Sequence, residues 1–174
     1  MTKNILFSIC IIFCISCRKE VEVTQKSAYQ DIKFIFPDTV YVNESYDGQI
    51  SFKSDFDTIT TSLSDYQKAR FLEYSFWLTK KPIEDNKLLK EMVTDTFVAE
   101  TNRVIPLYDI KFDKLGVNYF NGIIKDEIII AKGGILKDGS KGDRIITNEI
   151  RLTRAVYVID NRADTSRSAF YDKN

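Results

Sequence analysis

The sequence predicts an all-β chain, an antiparallel β-sandwich of about seven short strands, on three observations. Apolar residues recur at every second position through much of residues 32–159, the period of a strand that buries one face. Short polar clusters separate these segments, as turns do. Only Glu84–Met92 (EDNKLLKEM) reads as helix, and it is a turn or two long.

The elements follow in order. Ile32–Phe36 (IKFIF) and Thr39–Val42 (TVYV) flank Pro37, which cannot donate to a ladder and belongs at an edge or at a switch between sheets. Gly48–Lys53 places Ile50 and Phe52 on one face. Arg70–Thr79 (RFLEYSFWLT) has the clearest alternation, with Leu72, Tyr74, Phe76 and Leu78 on one side and Glu73, Ser75, Trp77 and Thr79 on the other. Phe97–Glu100 reads as a short strand. Arg103–Phe112 groups Tyr108, Ile110 and Phe112, and Gly116–Ile130 is a long apolar-rich segment. Ile145–Ile159 turns Ile146, Ile150 and Leu152 inward and Glu149, Arg151 and Thr153 outward. These segments make one domain, residues 32–159.

The N-terminus reads differently. Lys3 precedes Ile5–Ser16 (ILFSICIIFCIS), an apolar run with only Ser8 and Ser16 polar. A bilayer needs about 20 such residues, so the run is too short to span and fits a signal-peptide core. It ends Cys14-Ile15-Ser16-Cys17, which resembles the bacterial lipobox, although a leucine or similar aliphatic is usual where Cys14 stands. The resemblance implies removal of residues 1–16, acylation of Cys17, and attachment to a membrane through that lipid. All three cysteines, Cys10, Cys14 and Cys17, lie in this segment, so the mature domain has neither free thiol nor disulfide. Residues 17–31 read as lipidated cysteine and polar tether, and residues 160–174 as a polar tail.

A second resemblance sits at Asp113-Lys114-Leu115-Gly116-Val117-Asn118-Tyr119. It is similar to the approach to strand F in immunoglobulin-like domains, where a tyrosine hydroxyl bonds back to upstream backbone in a tyrosine corner. The resemblance gives Asp113, Gly116 and Tyr119 those roles. Asn121 stands where antibody domains place a cysteine, so the disulfide-free, fibronectin-like relatives are the better comparison. Taken whole, the chain resembles the small lipoproteins of Bacteroidota, a lipobox followed by an immunoglobulin-like domain. That resemblance implies a location at the bacterial cell envelope, anchored to the outer membrane.

Composition restricts the chemistry. There is no histidine in the sequence and no cysteine after Cys17, which excludes Ser-His-Asp and Cys-His catalysis and removes the usual zinc, copper and haem ligands. No cofactor is expected. Carboxylate pairs could still hydrolyse glycosides, with Asp55 and Asp57, or Glu73, as candidates. The 25 basic and 25 acidic residues balance, so charge gives no reason to expect a nucleic-acid partner.

Three smaller signals remain. The glycine-rich segment 133–143 (GGILKDGSKGD) lacks the spacing of a phosphate loop. It reads as a hairpin turn, with Asp138 and Asp143 available to calcium. Asp38-Thr39-Val40 and Asp57-Thr58-Ile59 resemble the Asp-Ser/Thr-aliphatic motif of periplasmic O-glycosylation in Bacteroidota. Trp77 lies opposite the inward face of its strand and is the candidate binding residue, unless the stretch from Lys80 to Met92 covers it. The expectation is a non-enzymatic binding or assembly module with a protein or glycan partner in the envelope. A carbohydrate-binding accessory lipoprotein is the alternative, and a carboxylate-only hydrolase the more distant one.

Overall fold

The protein is described by a computed structural model covering residues 23–24, 30–60 and 62–160. Cys17, the expected signal segment 1–16 and the expected tail from residue 161 onward lie outside the described residues. Nine strands are found among them: β1 (Val23–Thr24), β2 (Gln30–Ile35), β3 (Thr39–Tyr41), β4 (Ser45–Ser54), β5 (Lys68–Thr79), β6 (Asp95–Val98), β7 (Val104–Lys111), β8 (Gly116–Ile135) and β9 (Lys141–Ile159). One helix, α1 (Asn86–Met92), lies between β5 and β6, and a 3-10 turn (Asp55–Thr58) follows β4. The chain is all-β with two sheets.

The smaller sheet is antiparallel, in the order β2-β4-β7. The larger has the order β1-β9-β8-β5-β6, with β3 also on the free side of β9. Its central ladders are antiparallel, whereas β1 and β3 both pair with β9 in parallel. Pro37 marks the place where the chain leaves one sheet for the other, between β2 and β3. Within the expected tether of residues 17–31, Val23–Thr24 pairs with Ile146–Thr147 and β2 begins at Gln30.

Alternation built the core as the sequence suggested. Ile50 and Phe52 of β4, Leu72, Tyr74 and Phe76 of β5, and Val156 and Val158 of β9 are buried together. Phe120 is their hub, with the rings of Phe34, Phe36, Phe76 and Phe112 at 5.0, 5.1, 5.4 and 5.6 Å. Each such buried side chain stabilises by roughly 1.5–3 kcal/mol through lost water contact. Gly122 belongs to this packing, since a Cβ there would sit 2.4 Å from the Tyr74 ring. The Tyr74 hydroxyl reaches past it to donate to the Leu152 carbonyl at 3.1 Å.

One strand departs from simple alternation. In β7, Ile105, Leu107 and Ile110 are buried, and so is Phe112 just beyond the strand, which shifts the inward positions from odd to even. Asp109 makes the change by adopting a left-handed φ of 52°, and the ladder with β4 slips opposite, between Tyr46 and Gly48. This bulge turns Tyr108 outward. The expectation that Tyr108 shares a face with Ile110 and Phe112 is therefore corrected: Tyr108 is exposed.

Candidate functional site

Two of the fully buried inward positions on the larger sheet carry charge. Arg70 is in phase with Leu72 on β5, and Asp126 is in phase with Ile124 and Ile128 on β8, so alternation alone turns both inside. Register sets Arg70 beside Ile128 and Leu72 beside Asp126, which makes the charged pair a diagonal one. Arg70 Nε and Nη2 each donate to one Asp126 oxygen at 2.8 Å, a forked pair in which neither side chain has any exposure.

The 3-10 turn adds a second carboxylate. Ser54 caps it, accepting from Phe56 N, while Asp57 accepts from Ser54 N at 3.2 Å. That capping box aims Asp57 at Arg70 Nη1, 2.6 Å away, and at Arg103 Nη1, 2.5 Å away. Asn102 donates to it as well, and Arg70 Nη1 also donates to the Thr60 carbonyl. Burial pushes the Asp57 carboxyl up, but the Arg70 and Ser54 hydrogen bonds and the charges of Arg70 and Arg103 outweigh this and hold it below the usual range. Burial works against the charged Arg70 too, and its two carboxylates more than offset it. The cluster separates the main core from a smaller one of Phe56, Ile128 and Ile146. With every guanidinium nitrogen of Arg70 and both Asp126 oxygens bonded inside protein, the arrangement ties β5, β8 and the 3-10 turn together.

The outer face of the larger sheet is crossed by residues 80–93. Asn121, fully buried on β8, ties the crossing down. Its Oδ1 accepts from Ile83 N at 2.8 Å, and its Nδ2 donates to Thr79 Oγ1 and the Lys81 carbonyl. Arg151 donates to the carbonyls of Ile83 and Glu84, and Lys90 pairs with Glu149 at 2.5 Å. Asp85 caps α1 by accepting from Lys87 N and Leu88 N, and Leu89 is buried. Trp77 stands on this face, in register with Asn121, and is half-buried. Trp77 thus lies on the outer face, as its strand phase predicts, with part of its surface exposed.

The edges of the two sheets meet at β6 and β7. A groove of about 250 Å³ lies between them, lined by Phe76, Leu78, Phe97, Tyr108, Ile110 and the charged Asp95, Asp109 and Lys111. Phe97 and Tyr108 face each other edge to face at 6.0 Å. Lys111 and Ser45 both hold Asp109, at 2.8 and 2.5 Å, and depress its carboxyl below the usual range. Tyr108 donates to Glu100, and that hydrogen bond first, then burial and the charges of Glu100 and Asp47, raise the phenol. Each strand is at the end of its sheet, so its outward backbone groups are unpaired by the ladder. The sequence hid this surface, because the bulge that exposes Tyr108 leaves no composition signal.

The remaining candidates fall as follows. Gly116 has a left-handed φ of 82°, as a corner turn requires. The turn is closed by Asn118, however, whose buried Nδ2 donates to the carbonyls of Lys114 and Gly116 at 2.7 and 2.9 Å. Tyr119 is half-buried one position further on and makes no such bond among the described residues, and Asp113 is exposed. Alternation explains the exchange, since even positions of β8 face inward. Asp138 accepts from Ser140 N and Oγ, Asp143 accepts from Lys132 N, and among the described residues no cluster of three or more acids could hold a metal. Asp38 pairs with Arg154 at 2.8 Å beside exposed Thr39, and Thr58 is exposed next to the engaged Asp57. Of the acids named for hydrolysis, Asp55 is exposed, Asp57 is spent on two arginines, and Glu73 lies on the outer face, where its charge acts on Lys125. No helix among the described residues is long and apolar enough to cross a membrane. No protein-family model matches the chain, and neither a curated protein nor a solved structure matches it.

Proposed function

We propose that the chain is a lipid-anchored, non-enzymatic binding module of the bacterial cell envelope, attached through Cys17, and that its domain is an immunoglobulin-like sandwich. The strand order supports the fold reading. Taking β2, β4 and β7 as A, B and E, and β5, β6, β8 and β9 as C, C′, F and G, one sheet reads A-B-E and the other G-F-C-C′, the division of variable-type domains. The helix between C and C′ and the length of the F–G hairpin are its own departures.

The groove between β6 and β7 carries the binding reading. It joins exposed aromatic surface to two open strand edges, a combination suited to an extended peptide that adds main-chain hydrogen bonds at an edge and seats side chains in the groove. A protein partner is the first expectation, and a glycan stacking on Tyr108 the second. Photo-crosslinking from position 108 of the lipoprotein in its own envelope should capture a discrete partner, while the same probe at exposed Lys33 should not. Glycan-array binding abolished by Tyr108→Ala, with no crosslinked protein, would favour the second reading. Neither signal would remove the groove from consideration.

A further inference from the structure

The β8–β9 hairpin continues past the sheet that it belongs to. β5 accompanies β8 only as far as Ile130, opposite Lys68. Beyond it the ladder slips between Ile130 and Gly134, with Lys132 at a left-handed φ of 54°, and resumes at Gly134–Gly142 and Ile135–Lys141. Residues 131–145 thus form a two-stranded arm in which no residue is buried. Its turn is built rather than slack. Leu136 N donates to the Ser140 carbonyl, Gly139 takes a φ of 82°, and Asp138 is held by Ser140.

The composition of this end is unusual for a surface turn. Ile135 is 83% exposed and Leu136 53% exposed, side by side at the turn, where hairpin loops are ordinarily polar. Lys132, Lys137, Lys141 and Arg144 surround them, against two acids, Asp138 and Asp143, in a chain whose charges otherwise balance. Both acids already accept hydrogen bonds from within the arm. Apolar side chains at a tip with cations behind them match an anionic lipid surface, where the acyl boundary takes the first and the headgroups the second.

The position of β1 gives the arm its occupant. Val23 pairs with Ile146 in parallel, so the chain enters β1 from the side of the hairpin turn. Cys17 lies six residues before Val23, and Ser140 six before Ile146. Six residues span at most roughly 20 Å, the same distance that six residues of strand rise toward the turn. Six residues are therefore enough chain for the lipid-bearing Cys17 to be placed level with the arm tip. We propose that the arm at residues 131–145 is a second membrane contact, inserting Ile135 and Leu136 at the headgroup boundary of the bilayer that holds the Cys17 lipid. This rests on the lipid-anchor reading and extends it, since the arm fixes how the domain stands on the surface.

The test uses the processed lipoprotein from full-length expression, reconstituted into phosphatidylethanolamine–phosphatidylglycerol vesicles with brominated acyl chains. Trp77 is the sole tryptophan, so a Trp77→Phe, Ile135→Trp double variant reports the arm alone, and the wild type reports the domain. The double variant should lose at least about half of its emission to bromine and shift to the blue, with the wild type nearly unchanged. Charge reversal of Lys137 and Lys141 to Glu in that variant should restore most of the emission. An acylated protein without quenching overturns the arm proposal and leaves the anchor intact. A protein whose intact mass carries no acyl chain overturns both.

Discussion

Replacing Arg70 with Met removes a buried guanidinium while keeping much of its apolar stem, and the structure says where the damage falls. Both Asp126 oxygens are held by Arg70, and no other partner is found for them among the described residues. Asp57 keeps Arg103, Asn102 and the Ser54 amide. The cost therefore comes from Asp126, left charged with no exposure, and breaking a buried pair from one side costs ~3–5 kcal/mol. Asp126→Asn leaves Arg70 bonded to Asp57 and the Thr60 carbonyl, so its cost is that of a charged hydrogen bond, ~1.5–3 kcal/mol. The Arg70→Met, Asp126→Leu double variant strands neither charge of the fork and should be more stable than Arg70→Met alone. Urea unfolding at pH 7 measures all three, provided that the slope is unchanged. Against a total stability of roughly 5–15 kcal/mol the Arg70→Met loss is large. A loss under about 1 kcal/mol, or a double variant worse than both singles, would show that Asp126 is not desolvated and that the cluster is not what fastens the smaller core of Phe56, Ile128 and Ile146.

Three further outcomes are expected. Asn118→Ala should cost ~1–3 kcal/mol by stranding the Lys114 and Gly116 carbonyls, whereas Tyr119→Phe should stay within ~0.5 kcal/mol; urea melts with the reverse order would restore Tyr119 as the corner residue. Gly122→Ala drives a methyl into the Tyr74 ring and should cost ~1–3 kcal/mol by overpacking, so an unchanged urea midpoint would mean that the ring is free to move. The lowered Asp57 carboxyl stabilises fully above its unfolded value, and that stabilisation is lost as pH falls through the lower folded value. The stability gap between wild type and Asp57→Asn should accordingly be constant near neutrality and close below about pH 4. A gap that stays open in acid would rule out the two-arginine grip.

Strand positions were legible because a half-buried strand writes its period into the sequence. Leu72, Tyr74 and Phe76, and Ile146, Ile150 and Leu152, face inward as read, and the helix appears within Glu84–Met92. The same rule contained Arg70 and Asp126, which share the inward phase of their strands. They were missed because charge is ordinarily taken as a mark of exposure, and only a partner from another strand can reverse that. The pairing of residues 70 and 126 is a matter of register, which no local pattern specifies. Tyr108 was misplaced by one residue of bulge at Asp109, a left-handed turn that Asp tolerates without any glycine to announce it. At Asn118 and Tyr119 the motif pointed to the right turn and the wrong neighbour, since a resemblance in spacing does not know the phase of the strand.

The partnership of β9 with both β1 and β3 bears on the order in which the fold is completed. Residues 39–41 find their partners at 157–159, and Val23 finds its own at Ile146. Two early segments thus wait for one late strand, and closing such distant pairs is slow because chain entropy is lost before contacts repay it. A nascent chain lacking residues 141–159 has no seat for either segment and exposes the whole length of β8 as an unpaired edge. The larger sheet is accordingly finished from its C-terminal side. Until then the domain stays open, in the state that a chain threading through a narrow pore must keep and that holdase chaperones recognise.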